Sequence, residues 1–208
     1  MEDFVNIAVD IETLSKRPTA AIISIAARLF TLDGGPITSD IVFRKSVDAT
    51  SCAMYGFDID PATVDWWSRK DDEVNEQFKE NVSIKTALEN FAVYIEDALN
   101  MNNAVKAHIW CQGTDFDISI LRNAYVVVNK DREEKNIPWN YSDVRDSRTF
   151  IQEGVKLLAP ELEDPYSFIP KDEGWVKHDA MSDVNRLINN VQYVYRQLQN
   201  RLNQQKDV

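Results

Sequence analysis

Two carboxylates two residues apart, Asp10 and Glu12, lie near the end of an otherwise apolar run, Phe4–Leu14. Val5, Ile7, Val9 and Ile11 alternate there with Asn6, Ala8, Asp10 and Glu12, the period of a strand with two different faces. At ~3.3 Å rise per residue, Asp10 and Glu12 share one face with Cα atoms about 6.5–7 Å apart. Carboxylates so placed repel each other and resist desolvation unless something positive sits between them. A divalent cation meets that demand. An edge strand whose polar face meets water is the other reading the pair allows.

Other acidic residues stand where a fold can bring them to the same place. The run Ile109-Trp110-Cys111 leads through Gly113 to Asp115-Phe116-Asp117. Asp117 opens the helix expected after it, where the N-terminal dipole favours an anion, and Asp115 is the expected helix cap. A helix following a strand delivers such a residue to the carboxyl edge of the sheet, the usual place for sites in α/β folds. Asp183 lies three residues after Ala180 and four before Leu187, so it borders the apolar stripe of a late helix. An aspartate aimed at a core edge is unusual unless paired. His178 precedes it by five residues and is one of only two histidines. Imidazole takes a proton near neutral pH and is the commonest general base.

The elements that must position these residues follow from periodicity and punctuation. Ala21–Phe30 reads as a second, nearly all-apolar strand. Asp33-Gly34-Gly35-Pro36 is a turn, and Ile37–Lys45 a third strand antiparallel to the second. Ser46–Ile59 reads as irregular. Asp60-Pro61 signals a helix start, with helical character expected over 61–78. Ile84, Leu88, Phe91, Ile95 and Leu99 mark an amphipathic helix over Ser83–Met101. Val105–Cys111 is a fourth strand and Phe116–Val128 the helix after it. Asn129–Tyr141 has the charge run of a solvated loop. Asp143–Leu158 holds a short strand or helix, and Ala159–Gly174 is a connector. His178–Leu202 carries the cleanest helical stripe, from Ala180 to Leu202. The order predicts an α/β fold, a mixed sheet flanked by helices.

The 208 residues, 44% hydrophobic, suffice for one domain with a full core and are short for two, so a single domain over 1–208 is expected, with 203–208 a polar tail. No run approaches the ~18 apolar residues of a membrane span, and the acidic start lacks the basic region of a signal peptide. Cys52 and Cys111 sit in no metal or disulfide pattern, which fits a reducing cytoplasm. A net charge of −11 argues against a tight, non-specific nucleic-acid binder. It disfavours a metal-dependent nuclease less, because such an enzyme carries its cations separately.

The ordered set Asp10-x-Glu12, Phe116-Asp117 and His178-x-Ala180-x-x-Asp183 resembles the DnaQ-like, or DEDDh, 3′–5′ exonucleases, whose fold is ribonuclease-H-like. The three motifs span positions 10 to 183. Asp10–Leu14, Arg17–Ile25, Thr63–Trp67 and Val144–Thr149 look like the branch containing the mycobacterial-type exoribonuclease domain and phage exodeoxyribonuclease A. Thr114 departs from it, since many relatives carry Asn there or nearby.

The resemblance implies a 3′–5′ exonuclease acting on single-stranded or 3′-overhang DNA or RNA. Two Mg²⁺ or Mn²⁺ ions would be held by Asp10, Glu12, Asp117 and Asp183, and four carboxylates without Cys are a hard-oxygen set suited to those ions. His178 would take the proton from the attacking water, and a nucleoside 5′-monophosphate would leave. Thr13 and Leu14 would meet the terminal nucleotide, with Leu14 an apolar wedge. Of Trp66 and Trp67, at least one is expected in the core, with Trp67 also a candidate substrate contact beside Arg148. Arg145 and Arg148 suit either phosphate or an internal carboxylate, and Lys16 and Arg17 suit a backbone track. Relatives are often dimers, so a homodimer is among the expected states. Two alternatives stay open: a catalytically silent nucleic-acid-binding module of this fold, and a phosphodiesterase restricted to short oligonucleotides.

Overall fold

The computed structural model describes residues 4–35, 41–70, 74, 76–130 and 133–206. Strand β1 (Phe4–Thr13) runs down the middle of a five-stranded sheet. On one side it pairs antiparallel with β2 (Ile22–Phe30), which pairs antiparallel with β3 (Val42–Ser46). On the other side it pairs parallel with β4 (Lys106–Cys111), which pairs parallel with β5 (Val144–Asp146). The order is β3-β2-β1-β4-β5. A central β1 removes the edge-strand reading of Asp10 and Glu12.

Both faces of β1 are covered. Val5, Ile7, Val9 and Ile11 enter one core with Leu88, Phe91 and Ile95 of α3 (Ile84–Asn102) and Ile120, Leu121 and Ala124 of α4 (Asp117–Asn129). The opposite face packs under α5 (Ser147–Leu158) and α6 (Ala180–Lys206). There Ala8 and Ala26 meet Val184, Leu187 and Val191, and buried Asn6 accepts the indole N–H of Trp110 at 2.9 Å. Small residues at 8 and 26 suit a close approach of α6. A close approach is also built in at Gly154 of α5, where a Cβ would stand 2.6 Å from Val194 Cγ1. The polar face of β1 is thus the face that α6 covers, so Asp10 and Glu12 lie on the side of the sheet to which α6 brings its first turn.

Several expectations are corrected. Ser46–Ile59 contains α1 (Ala49–Met54), capped by Asp48, whose side chain accepts from Thr50 N at 2.9 Å. The helix after Asp60, α2, covers only Pro61–Ser68, and Glu76–Phe78 forms a separate 3₁₀ turn. The third strand is Val42–Ser46; residues 37–40 of its expected range lie outside the described residues. The loop read as solvated carries Trp139, which is buried against Phe91 and Tyr125. The stretch Asp143–Leu158, expected to hold a strand or a helix, holds both a strand, β5, and a helix, α5. The helix α6 continues to Lys206, so most of the expected polar tail is helical. Among the described residues no helix is long and apolar enough to cross a membrane.

Candidate active site

Three elements bring their acidic residues to one spot. Asp10 and Glu12 come from the carboxyl end of β1. The register with β2 slips between Glu12 and Thr13, a bulge that re-aims side chains where the strand ends. Asp117 comes from the first turn of α4. The loop before it is fixed by Asp146, whose carboxylate accepts from Thr114 N at 3.1 Å and, as cap of α5, from Thr149 N at 2.8 Å. The residue preceding α4 is Phe116, which makes no side-chain cap, so Asp115 is not the cap expected of it. Asp183 comes from the first turn of α6, which Asp179 caps: its carbonyl accepts from Asp183 N and its side chain from Ser182 N, both at 2.9 Å. Asp179 also pairs with Arg44 of β3 at 2.5 Å, tying α6 to the far side of the sheet.

His178 stands just outside α6 with φ +69°, a left-handed conformation uncommon for a residue with a side chain. Its N–H donates to Asp183 Oδ2 at 3.0 Å, while Trp175 Nε1 donates to Asp183 Oδ1 at 2.7 Å. Side-chain ligand atoms of Glu12, His178 and Asp183 all lie within 4.8 Å of one another.

The electrostatics of this cluster are strained. Burial, then the neighbouring charges of Asp117, Glu12, Asp183 and Asp179, pushes the Asp10 carboxyl well above its ordinary range. Burial raises Glu12 to about 9, reinforced by Asp183, Asp117 and Asp179 and opposed by Lys70. Asp117 is raised to about 7, chiefly by burial, against hydrogen bonds from the Ile11 and Asp117 backbone and the charge of Arg148. Asp183 is raised by burial despite the N–H groups of Trp175 and His178. His178 is lowered to about 4 by burial and by Lys70 and Lys177, which leaves the ring neutral at pH 7 and able to accept a proton. Four acids that each hold protons too tightly, offering only oxygen donors, fit hard divalent cations.

Beside the carboxylates opens a cleft of about 640 Å³ lined by Glu12, Thr13, Lys16, Trp66, Phe116 and His178, among others. Trp66 is 38% exposed and meets the imidazole edge-on, ring centres 4.8 Å apart, with the Lys70 ammonium 3.7 Å from its centre. Phe116 is exposed at the same cleft. Trp67 is the core member of the pair: it is buried, its indole N–H donates to Thr13 O at 2.9 Å, and it reaches the cleft only as part of the lining. Thr13 is buried with its hydroxyl donating to Ser15 O, so it offers the cleft little more than a wall.

Leu14 is not brought into the cleft. One residue past Thr13, it packs partly buried beside the Ile23, Trp67 and Val74 cluster and lines a neighbouring hollow with Val47 and Phe78. Arg148 lies on the Gly113 side, donating to Gln112 O at 3.2 Å and lowering Asp117 by its charge. Arg145 bonds the carbonyls of Ser142 and Val144 and meets His108, and Arg17 pairs with Asp58 at 3.1 Å. Sequence reasoning missed Trp175 and the Asp179–Arg44 pair. The first sits in a connector with no periodic signal, whereas Asp before a helical stripe is itself a readable cap.

A family comparison agrees with this geometry. Residues 5–195 match the 3′–5′ exoribonuclease Rv2179c-like domain. The chain belongs to that family. Solved structures share the chain's fold. Cell-death related nuclease 4 (CRN-4) superposes with a TM-score of 0.63 at 14% identity, over 94% of this chain and 66% of that one. E. coli exonuclease I in complex with a dT13 oligonucleotide gives 0.55 at 16% identity, over 95% of this chain and 42% of that one. The nuclease domain of 3′hExo, a DEDDh family member bound to rAMP, gives 0.52 at 13% identity, over 94% and 92%. The chain thus spans just under two thirds of CRN-4 and less than half of exonuclease I. No curated protein matches it in sequence. These neighbours make the mixed sheet a ribonuclease-H-like nuclease fold, and membership in an exonuclease family implies dependence on divalent metal.

Proposed function

We propose that the chain, as one domain over 1–208, is a metal-dependent 3′–5′ exonuclease. It removes nucleoside 5′-monophosphates from the 3′ ends of single-stranded or 3′-overhang RNA or DNA. The observation that carries this is the convergence of Asp10, Glu12, Asp117 and Asp183 with a neutral imidazole at the carboxyl end of the central strand β1. The four carboxylates are the residues to hold two Mg²⁺ or Mn²⁺ ions. When bound, such ions neutralise the scissile phosphate, acidify the attacking water and steady the leaving oxygen. They also invert the local charge, so a chain of net charge −11 can accept a polyanion here.

The protein's own groups do the rest. His178, neutral at pH 7, takes the proton from the attacking water at a ring nitrogen. Trp66 and Phe116 offer apolar faces on which a terminal base stacks with little regard to sequence. Lys16 lines the same cleft, and Arg148, an exposed residue, stands near enough to Asp117 for its charge to act on that carboxyl. Cys52 and Cys111 are both free and buried, which suits the reducing cytoplasm proposed for the protein.

The test is digestion of matched RNA and DNA strands, from dinucleotide upward, by wild type and His178→Ala. Loss of the base lowers kcat by about 10²–10⁴-fold, and nucleoside 5′-monophosphate is the wild-type product. Binding without cleavage by the wild type would point instead to a silent binding module. Cleavage confined to the shortest substrates would point to an oligonucleotide phosphodiesterase.

A further inference from the structure

The segment that carries the imidazole is held by a residue outside the carboxylate cluster. Gln77, in the 3₁₀ turn Glu76–Phe78, is only 3% exposed although its side chain is polar. Its amide is fully engaged at both ends. Nε2 donates to His178 O at 2.7 Å and to Val74 O at 3.0 Å, and Oε1 accepts from Ala180 N at 3.2 Å. One side chain therefore grips the backbone on both sides of Asp179, across about a hundred residues of sequence. The base it anchors to is firm: the Gln77 carbonyl accepts from Ser46 Oγ at the end of β3, and Val74 is buried with Ile23 and Trp67.

Such a grip answers a specific need. His178 has φ +69°, a conformation that disfavours side chains and persists only where surroundings impose it. Its N–H is taken by Asp183 and its carbonyl by Gln77, so both backbone polar groups of the strained residue are fixed from different directions. The Ala180 N–H, which lies in the first turn of α6 and has no partner within the helix, is satisfied by the same Gln77 amide. The imidazole is left with Trp66 and Trp67 edge-on at 4.8 and 6.3 Å as its lateral walls.

We propose that Gln77 is a positioning residue for the general base. By clamping His178 O and Ala180 N it sets the left-handed turn that aims the imidazole at the carboxylate cluster. The proposal rests on His178 being the base. A group misplaced by ~1 Å can lose about 10²-fold in rate, so a lost clamp should appear in kcat rather than in substrate affinity.

The experiment is a double-mutant cycle of Gln77→Leu with His178→Ala, read as kcat and KM on a single-stranded oligonucleotide, with circular dichroism and melting temperature for each protein. Gln77→Leu alone should lower kcat by ~10–100-fold with KM within about threefold of wild type. In the His178→Ala background it should lower kcat by less than about twofold, because the group it positions is gone. Gln77→Glu keeps an acceptor for Ala180 N but lacks the donor to His178 O. It should lose kcat in the same His178-dependent way, and it serves where the leucine variant does not fold. An equal loss in both backgrounds, or a change confined to KM, would overturn the clamp while leaving His178 as base. Wild-type activity in His178→Ala would overturn the base assignment and the clamp together.

Discussion

Asp10→Asn lowers kcat/KM by on the order of 10³-fold and raises the melting temperature of the metal-free protein. The first effect follows if Asp10 is a ligand, because metal assistance is worth several kcal/mol of transition-state stabilisation and each 1.36 kcal/mol is a factor of ten. The second follows from the cluster itself. Burial and the charges of Asp117, Glu12, Asp183 and Asp179 all act against an ionised Asp10. A neutral amide of the same shape relieves that repulsion at no cost in volume. Asp183→Asn should lose activity to a similar degree but should lower the melting temperature. Its two carboxylate oxygens each accept from an N–H, of Trp175 and of His178, and an amide can accept with only one of its two terminal atoms. Single-turnover digestion and melting curves in chelator check both. Wild-type-like trimming by either variant would remove the assigned residue from the site, and equal thermal effects would contradict the difference in their surroundings.

The metal-free protein is expected to lose stability as pH rises from about 5 to about 9, and divalent metal is expected to restore it. Glu12 moves from an ordinary 4.5 to about 9 in the fold, and Asp117 from 3.8 to about 7. A raised folded pKa contributes stability that is fully present below the unfolded pKa. In the window between the two values the unfolded chain has released a proton that the folded chain still binds, so unfolding becomes easier with each step up in pH. The contribution is gone once pH passes the folded pKa, near 7 for Asp117 and near 9 for Glu12. One retained proton corresponds to about 1.4 kcal/mol per pH unit, or roughly 3–6 °C for a chain of this length. Cations that bind the ionised carboxylates act oppositely, so Mn²⁺ or Mg²⁺ should raise the melting temperature most at the alkaline end. Scanning fluorimetry from pH 5 to 9, in chelator and in Mn²⁺, gives both curves. Stability that rises with pH over this range in chelator, or curves that coincide with and without metal, would contradict the account.

Much of the site was legible because its residues obey local rules. Asp10 and Glu12 declare a shared face through period-two alternation, and the long stripe from Ala180 shows that Asp183 borders a buried face. What sequence could not show was the second layer on β1. Asn6 and Ala8 look like a solvent-facing alternation, and only the pairing of β1 on both edges and the packing of α6 over Ala8 make them interior. Trp66 and Trp67 are neighbours on a short helix with equal propensity, and only tertiary contacts, the packing of Trp67 on Ile23, Val74 and Phe78 and its indole N–H to Thr13 O, put it in the core. Trp139 was hidden in a charged run because burial of one aromatic in a loop leaves no periodic trace. Leu14 follows the β1 bulge, and its packing beside Ile23 and Trp67 rests on long-range contacts that leave no local signal. Gln77 escaped notice for a related reason: its partners lie about a hundred residues away and are backbone atoms, which carry no residue-type signal.

The most direct test of a metal-dependent 3′–5′ exonuclease is a time course on single-stranded RNA and DNA labelled at the 5′ end, with Mn²⁺ or Mg²⁺ and with chelator, using wild type and Asp10→Asn. Wild type with metal is expected to shorten the labelled strand one nucleotide at a time from its 3′ end, releasing nucleoside 5′-monophosphates. Strands are expected to stay intact with chelator and with Asp10→Asn. A labelled mononucleotide as first product, internal cuts without a stepwise ladder, or undiminished shortening in chelator would contradict the proposed activity.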